Sequence, residues 1–269
     1  MLPSLTSIEI ERYRRQMMLP GLGETGQRQL KNTTALVTGV GGLGGTAALY
    51  LAVAGVGKLI LVRGGNLQRD DLNRQILMTD DWVGKPRVFK AQETLAQLNP
   101  DIEIESICEY VNVDNIEVLV AQADIALDCA FDFTERDLLN SACVRMQKPM
   151  VEAAMNGMEA YLTTIVPGKT PCLSCLFPEK PEWNRWGFGV LGAVSGTLAC
   201  LAALEAIKLV TGLGKPLLGQ LLTMDLANNE FAKRRPYKDP DCPVCGNLSN
   251  TAIPRELANA ANIYAPVTL

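Results

Sequence analysis

The chain contains no histidine in its 269 residues. Histidine is the usual general base of hydrolases and a common zinc ligand, so its absence excludes a Ser–His–Asp triad, a Cys–His pair and any histidine-ligated metal. Long basic runs are also missing, and the formal net charge is −4. Because a protein that binds nucleic acid needs a concentrated cationic surface, we expect no nucleic-acid partner.

Export and membrane signals are missing as well. The N-terminal residues lead directly into a charged helical pattern, without the basic flank and apolar run of a signal peptide, so we expect a cytoplasmic protein. The longest uncharged segment, 187–204, is slightly shorter than the roughly 20 apolar residues of a membrane helix and contains four glycines. It predicts a loop that continues into a core helix, with no membrane partner.

The dominant feature of the sequence is a glycine-rich turn at 39–45, directly after an aliphatic run that predicts a buried parallel strand. Gly39 and Gly41 permit a tight turn and a close backbone approach. Gly44 lets the following helix, predicted from Thr46 onward, pack against the strand. Since free amides and the positive end of a helix would then face one anion, the pattern predicts a phosphate-binding turn.

Strands alternate with helices along the chain, which predicts an α/β fold with a Rossmann-like, doubly wound sheet. Two closely spaced strands around Asn156-Gly157 suggest that the sheet becomes antiparallel in its C-terminal part, so that it is mixed. Ser7 is the expected cap of the first helix, and Gly212 is the expected end of a long apolar helix over 191–211. After the glycine turn, strands are predicted at 58–63, 102–107, 123–129, 151–154, 161–166 and 217–226, the last as a strand or a pair.

Eight cysteines in a chain that we expect to stay in the cytoplasm point to metal binding or chemistry rather than to disulfides. Four of them form two Cys-x-x-Cys motifs, whose thiolates suit a closed, tetrahedral structural zinc site. A redox pair in each motif is the alternative. The predicted zinc ligands are Cys172, Cys175, Cys242 and Cys245. The remaining cysteines, predicted to be core thiols, are Cys108, Cys129, Cys143 and Cys200.

Arg63 stands at the end of the second predicted strand, where a dinucleotide-binding unit usually has an acid for the ribose hydroxyl. An arginine at this place could bind a 2′-phosphate, so a nicotinamide-dependent oxidoreductase is an alternative function. That alternative leaves Arg74, Arg87 and both cysteine motifs unexplained.

A longer set of motifs, spread over 12–246, resembles the MoeB/ThiF/HesA family of ubiquitin-activating-like enzymes. Segments 128–131, 148–155 and 178–181 are most similar to the HesA branch, which is found beside nitrogen-fixation genes. The family motifs are Arg12-Tyr13-x-Arg15-Gln16, the Gly-x-Gly-Gly-x-Gly turn, Leu72-Asn73-Arg74-Gln75, Val83-Gly84-Lys85-Pro86-Arg87, Leu127-Asp128-Cys129 and the paired cysteine motifs.

The resemblance implies an adenylyltransferase that binds Mg²⁺ and ATP. Its substrate would be the C-terminal Gly-Gly carboxylate of a small ubiquitin-fold sulphur carrier, and pyrophosphate would be released. Such a reaction needs mainly alignment and cationic stabilisation of the phosphate charge. The carrier would belong to one of three pathways: molybdenum cofactor, thiamine or nitrogenase cofactor assembly.

The resemblance also implies roles for individual residues. Arg74 and Arg87 would hold the phosphates, and Arg15 would act as an arginine finger from the neighbouring subunit, which requires a homodimer. Gln75 would help to orient the substrates, and the loop after Cys175 would guide the tail of the carrier. The implied nucleotide-binding residues are Gly39, Gly41, Gly42, Gly44, Arg63, Asn73, Arg74, Gln75 and Arg87.

The chain departs from the family pattern at three positions. Arg63 replaces the ribose-binding Asp, Arg87 replaces a phosphate-binding Lys, and Phe131 replaces the magnesium-binding Asp. Asp132, one residue further on, is then the predicted catalytic Mg²⁺ ligand. Because 176–190 contains no cysteine, we expect adenylation without a thioester or acyl disulfide.

These departures leave a second class of function open: a degenerate, zinc-stabilised homodimer. It would bind a carrier or a metallocluster-assembly partner without turning over ATP. In either case, we expect N-terminal helices with the arginine finger at 1–30, a ThiF-type adenylation domain at 31–246 and a loosely attached tail at 247–269.

Overall fold

A computed structural model describes residues 2–180 and 189–246, which form one mixed sheet with helices on both faces. The predicted tail lies outside these residues. The strands in chain order are β1 (Thr34–Thr38), β2 (Lys58–Val62), β3 (Glu103–Ile107), β4 (Ile125–Asp128), β5 (Met150–Asn156), β6 (Glu159–Ile165), β7 (Leu221–Asp225) and β8 (Glu230–Arg234). The α-helices are α1 (Ser7–Met17), α2 (Gly23–Lys31), α3 (Gly42–Ala54), α4 (Arg87–Leu98), α5 (Ile116–Gln122), α6 (Phe133–Arg145), α7 (Leu173–Leu176) and α8 (Gly192–Thr211).

The spatial order of the strands is β3-β2-β1-β4-β5-β6-β7-β8. Strands β1 to β5 pair in parallel, and β5 to β8 pair antiparallel, which confirms the predicted mixed sheet. Strand β1 lies between β2 and β4, so the chain order reverses at this point. The carboxyl end of β1 therefore opens into the crevice where doubly wound folds bind their ligands.

Helices α3, α4 and α8 cover one face of the sheet with small and aliphatic side chains, and α5, α6 and the cysteine cluster cover the other. Helix α8 is long and apolar enough to cross a membrane, by length and composition only. In this fold it packs against α3, β5 and β6, as expected of a core helix. It ends at Gly212, whose φ of +73° is the left-handed conformation that glycine adopts easily.

Four details of the structure differ from the sequence-based expectations. Helix α3 begins at Gly42 and not at Thr46, because the glycines themselves adopt helical geometry. Thr6, and not Ser7, caps α1, since its hydroxyl accepts the amide hydrogen of Glu9. The exposed strand β8 was not predicted as a separate strand. Cys108 and Cys200 were predicted to be core thiols, and this prediction is wrong because both are exposed.

Candidate active site

The glycine turn joins β1 to α3 at the crevice. Gly39 has a φ of +103°, and a Cβ atom there would lie 2.6 Å from the carbonyl oxygen of Cys129. A Cβ atom on Gly44 would lie 1.9 Å from the carbonyl oxygen of Gly39, so only glycine allows this contact between helix and strand. Gly41 is the N-cap of α3 and offers no side-chain cap. The first amides of α3 are therefore available to an anion.

Arg74 packs directly against this turn. A Cβ atom on Gly42 would lie 3.0 Å from Cβ of Arg74 and 2.6 Å from Oγ of Ser195, near the start of α8. A Cβ atom on Gly41 would lie 3.9 Å from Nε2 of Gln75. The structure thus brings the turn, the segment after the 3₁₀ helix Arg69–Asn73 and the start of α8 together.

Asp71 links the two predicted phosphate-binding arginines. Its Oδ1 accepts from Nη2 of Arg74 at 2.9 Å, and its Oδ2 lies 3.1 Å from Nη1 of Arg87. The backbone amide of Gln68 donates to the same Oδ2 at 2.9 Å, and Asp71 is only 6% exposed. Asp71 was not among the predicted site residues, although its position three residues before Arg74 on a helical turn is a local signal.

The environment of Arg87 is dense in charge. Burial lowers the pKa of its guanidinium, and the carboxylate of Asp71 opposes that shift. Its Nη2 donates to the carbonyl oxygen of Asn66, while its Nε is buried without a partner among the described residues. Arg87 thus keeps one unpaired donor in a cationic group that already contains Arg74.

Asn73 connects the segment that contains Arg74 to the end of the loop that precedes α8. Its Nδ2 donates to the carbonyl oxygen of Val190 at 3.0 Å, and its Oδ1 accepts from Nη1 of Arg74 at 2.9 Å. A Cβ atom on Gly192 would lie 2.3 Å from the carbonyl oxygen of Asn73. The side chain of Asn73, which was predicted to bind the nucleotide, therefore orients Arg74 and donates to the backbone of Val190.

Arg63 follows β2 directly and is held from two sides. Its Nη1 lies 3.6 Å from Oε2 of Glu135, in the first turn of α6. Its guanidinium carbon lies 5.1 Å from the centre of the Tyr110 ring, a cation–π arrangement. Burial raises the pKa of Glu135, and the charge of Arg63 opposes this. Glu135 was another residue without a role in the sequence analysis.

The predicted magnesium ligand, Asp132, is the N-cap of α6, and its Oδ1 accepts the amide hydrogen of Glu135 at 3.0 Å. Nearby, Arg136 donates to Oε1 of Glu152 at 2.7 Å and lies 3.7 Å from Oδ1 of Asp128. Although burial opposes its charge, these two carboxylates raise the pKa of Arg136. The three buried charges form a structural network beneath the crevice.

Arg15 lies in the last turn of α1 with an exposed side chain, and no described residue pairs with it. Its neighbours anchor the helix instead. Arg12 pairs with Asp101 at 3.0 Å, and the buried hydroxyl of Tyr13 accepts from Nδ2 of Asn99 at 2.8 Å. Within one protomer, the predicted finger is therefore separate from the arginines of the crevice, and its side chain is available to a second subunit.

The four predicted zinc ligands converge in one buried cluster, in which all Sγ atoms lie within 4.8 Å of one another. The closest pairs are 3.4 Å, between Cys175 and Cys245, and 3.7 Å, between Cys172 and Cys242. A tetrahedral zinc site with Zn–S bonds of about 2.3 Å requires sulfur–sulfur separations of about 3.8 Å. Hydrogen bonds among the thiols lower the pKa of Cys172 and raise the pKa values of Cys175 and Cys245, so without a metal one thiolate is stabilised by its protonated neighbours.

This geometry fits a metal better than the redox alternative. The cysteines are all unpaired as disulfides, and they are buried together, which leaves little access for a dithiol substrate. The cluster can bind a metal that ties α7 to the segment after β8. Cys129, beside the glycine turn, is a different case, because burial raises the pKa of its thiol and so disfavours a nucleophilic thiolate.

Comparisons with known proteins identify the relatives of this chain. "Protein HesA, heterocyst" from Trichormus variabilis is 75% identical over 244 residues, which cover 91% of each chain. The SAMP-activating enzyme E1 of Haloferax volcanii is 39% identical over 248 residues, which cover 90% of this chain and 91% of that protein.

The fold is also that of solved structures of E. coli MccB. The complex with MccA-N7isoASN has a TM-score of 0.80 and 25% identity, over 88% of this chain and 75% of that chain. The complex with ATP has a TM-score of 0.75 and 27% identity, over 83% of this chain and 70% of that chain. The sequence profile of the ThiF family matches residues 13–244. The chain therefore belongs to the ThiF family of E1-like adenylyltransferases, and within it to the HesA branch.

Proposed function

We propose that the protein adenylates the C-terminal carboxylate of a ubiquitin-fold sulphur carrier that ends in Gly-Gly, with ATP as the second substrate. The observation that carries this proposal is the position of Arg74. Its stem packs on Gly42 of the phosphate-binding turn, and its guanidinium is joined through Asp71 to that of Arg87. Two cations are therefore linked by one carboxylate, and one of them lies directly against the turn at the start of α3.

The chemistry requires little from the protein beyond this charge. A carboxylate oxygen of the carrier attacks the α-phosphorus of ATP, and the bond from that phosphorus to the bridging oxygen breaks. Pyrophosphate leaves with the bonding electrons, and the carrier is left as an acyl adenylate. Arg74 and Arg87 would stabilise the negative charge on the phosphates, and Gln75 would help to orient the groups.

Two metals are part of the proposal. Mg²⁺ would reduce the charge repulsion among the phosphates, with Asp132 as a ligand through the carboxylate oxygen that does not cap α6. Zn²⁺ would have a structural role only, because its four cysteine ligands leave no open position for water.

A homodimer completes the proposed site. Arg15 is exposed on α1 and does not pair with Arg74 or Arg87 of its own chain. It could therefore serve as a finger in the crevice of a second subunit. Residues 1–30 would thus carry the finger, 31–246 the adenylation domain and 247–269 a tail. We expect the reaction to take place in the cytoplasm, without nucleic acid or membrane as a partner.

The carrier would approach through the loop between β6 and α8, of which 181–188 lie outside the described residues. Since 176–190 contains no cysteine, the proposed product is the acyl adenylate itself, without a thioester or acyl disulfide on this chain. The carrier could belong to molybdenum cofactor, thiamine or nitrogenase cofactor assembly.

Pyrophosphate–ATP exchange tests the proposal. The purified protein should incorporate labelled pyrophosphate into ATP when a carrier with an intact Gly-Gly end is present. The same carrier without its last two residues is the matched control, and it should give no exchange. Absence of exchange with every carrier tried, in spite of ATP binding, would count against catalysis.

A second function is favoured by one specific observation. The ribose-binding and magnesium-binding acids of the family are replaced by Arg63 and Phe131 in this chain. A binding module without ATP turnover, for a carrier or a metallocluster-assembly partner, would tolerate both replacements. In that case, carrier binding should persist without any exchange activity.

A further inference from the structure

Arg63 and Glu135 form a bridge over the start of the phosphate-binding turn. Arg63 follows β2, and Glu135 lies in the first turn of the helix that follows β4. Because β2 and β4 flank β1 in the sheet, an ion pair between these two residues has to cross the carboxyl end of β1. The glycine turn begins at that end, with Gly39.

The carboxylate of Glu135 is buried but poorly satisfied. The residue is 9% exposed, and its distance of 3.6 Å to Nη1 of Arg63 is longer than a hydrogen bond. No side chain or amide of the described residues donates a hydrogen bond to it. Arg63 itself is held in place by the Tyr110 ring. An acceptor with spare capacity therefore lies beside a fixed donor, both at the crevice.

The other acids near this edge are already engaged. Asp132 caps α6, and Asp71 holds two arginines. Asp128 and Glu152 each accept a hydrogen bond on one oxygen, and both are fully buried around Arg136. Of these acids, Glu135 is thus the one whose carboxylate accepts no hydrogen bond from the described residues.

We infer that Glu135, together with Arg63, binds the ribose 2′- and 3′-hydroxyls of the nucleotide. Each hydroxyl can both donate and accept a hydrogen bond, so a carboxylate beside a guanidinium matches a diol. In doubly wound folds a carboxylate at the end of the second strand has this task. Here the acid comes instead from α6, on the other side of β1. This inference rests on the proposed use of ATP.

Nucleotide binding, measured by calorimetry with Mg²⁺ present, provides the test. The wild-type protein should bind ATP about tenfold more tightly than 2′-deoxy-ATP or 3′-deoxy-ATP, because a hydrogen bond to a charged group is lost. Glu135→Ala should bring the ratio close to one and leave the affinity for the deoxynucleotides within about twofold of the wild-type value. Glu135→Gln, which keeps the shape and one acceptor, should give an intermediate ratio.

Glu117→Ala is the matched control, since Glu117 is an exposed carboxylate on α5 that also pairs with an arginine. It should leave the ratio unchanged. A purely structural role of Glu135 would weaken all three nucleotides alike and would overturn the inference. Equal binding of ATP and both deoxynucleotides by the wild-type protein would also overturn it, while the proposed function would stand. Failure to bind any triphosphate would overturn both.

Discussion

The carboxylate of Asp71 lies 3.1 Å from the guanidinium of Arg87, and both side chains are largely buried. The same carboxylate accepts a hydrogen bond from Arg74. In the absence of nucleotide, Asp71 is therefore the anion that offsets the repulsion between two partly buried arginines. A bound phosphate could share or take over that task.

Replacement of Asp71 should lower the stability of the free protein and increase the stabilisation that Mg²⁺-ATP provides. We predict that Asp71→Asn lowers the free energy of unfolding by roughly 1–3 kcal/mol, because two buried cations lose their counter-charge. Mg²⁺-ATP should then stabilise the variant more than the wild-type protein, since its phosphates supply the missing charge. Thermal unfolding with and without ATP measures both effects.

Asp80→Asn is the control for this prediction. Asp80 also pairs with an arginine, Arg69, but both side chains are exposed. Its replacement should have little effect, as is usual for surface ion pairs. If Asp71→Asn gained no more stability from ATP than the wild-type protein, Asp71 would not have the role assigned to it.

The arginine finger predicts complementation between two inactive variants. Arg15→Ala and Arg74→Ala should each abolish pyrophosphate–ATP exchange, because each lacks one cation at every site. In a mixture that exchanges subunits, half of the dimers are heterodimers, and one of their two sites keeps both arginines. Exchange should therefore recover to about a quarter of the wild-type rate at equal amounts.

Arg14→Ala provides a comparison for the finger, since Arg14 is an exposed neighbour on the same helix. We expect it to retain exchange. No recovery in the mixture, although mass spectrometry shows heterodimers, would mean that Arg15 does not act across the dimer.

The cysteine cluster predicts about one zinc per chain. Cys242→Ser should lose the metal and unfold at a lower temperature, because the metal ties α7 to the segment after β8. Cys200→Ser should keep both the metal and the stability, since Cys200 is exposed and outside the cluster. Metal analysis by atomic emission, together with thermal unfolding, gives the answer. A Cys242→Ser protein that stays folded and zinc-loaded would contradict the assignment.

The anchoring of α1 predicts a pH-dependent effect. Burial disfavours the carboxylate of Glu9, but hydrogen bonds from Lys31 and Thr6 outweigh it and lower the pKa below the ordinary value of 4.5. Because the folded-state pKa is lowered, the stabilisation is present above pH 4.5 and is lost as the pH falls through the lowered value.

Glu9→Gln should consequently cost about 1 kcal/mol at neutral pH, through the lost charge at the helix cap, and less near pH 3, where part of the wild-type stabilisation is already lost. Denaturant unfolding at both pH values measures the difference. Glu11→Gln, on the exposed side of the same helix, should show no comparable effect at either pH. An equal loss at both pH values would contradict the role of the Glu9 charge.

Local signals in the sequence were sufficient to predict a mixed sheet and the convergence of four cysteines. The glycine turn has a fixed spacing, and the antiparallel pair around Asn156-Gly157 follows from its turn residues. Strand β8 was missed because its residues are exposed and lack the apolar alternation of a half-buried strand. The thiol of Cys200 was misplaced because a long apolar helix still presents one face to solvent.

The pairings inside the crevice could not be predicted in the same way. Asp71 and Arg87 are 16 positions apart, and Arg63 and Glu135 are 72 positions apart. The first contact depends on how the long connection between β2 and α4 folds back on itself, and the second depends on the order of strands around β1. The proposed role of Arg15 would depend in addition on a second subunit.

The most direct test of the whole account is a structure of the protein with Mg²⁺ and a non-hydrolysable ATP analogue. The account predicts phosphate oxygens within about 3 Å of the amides at the start of α3 and of the Arg74 and Arg87 guanidinium groups. Arg15 of the partner subunit should point into the same crevice. Phosphates bound elsewhere, with that crevice filled by side chains, would contradict it.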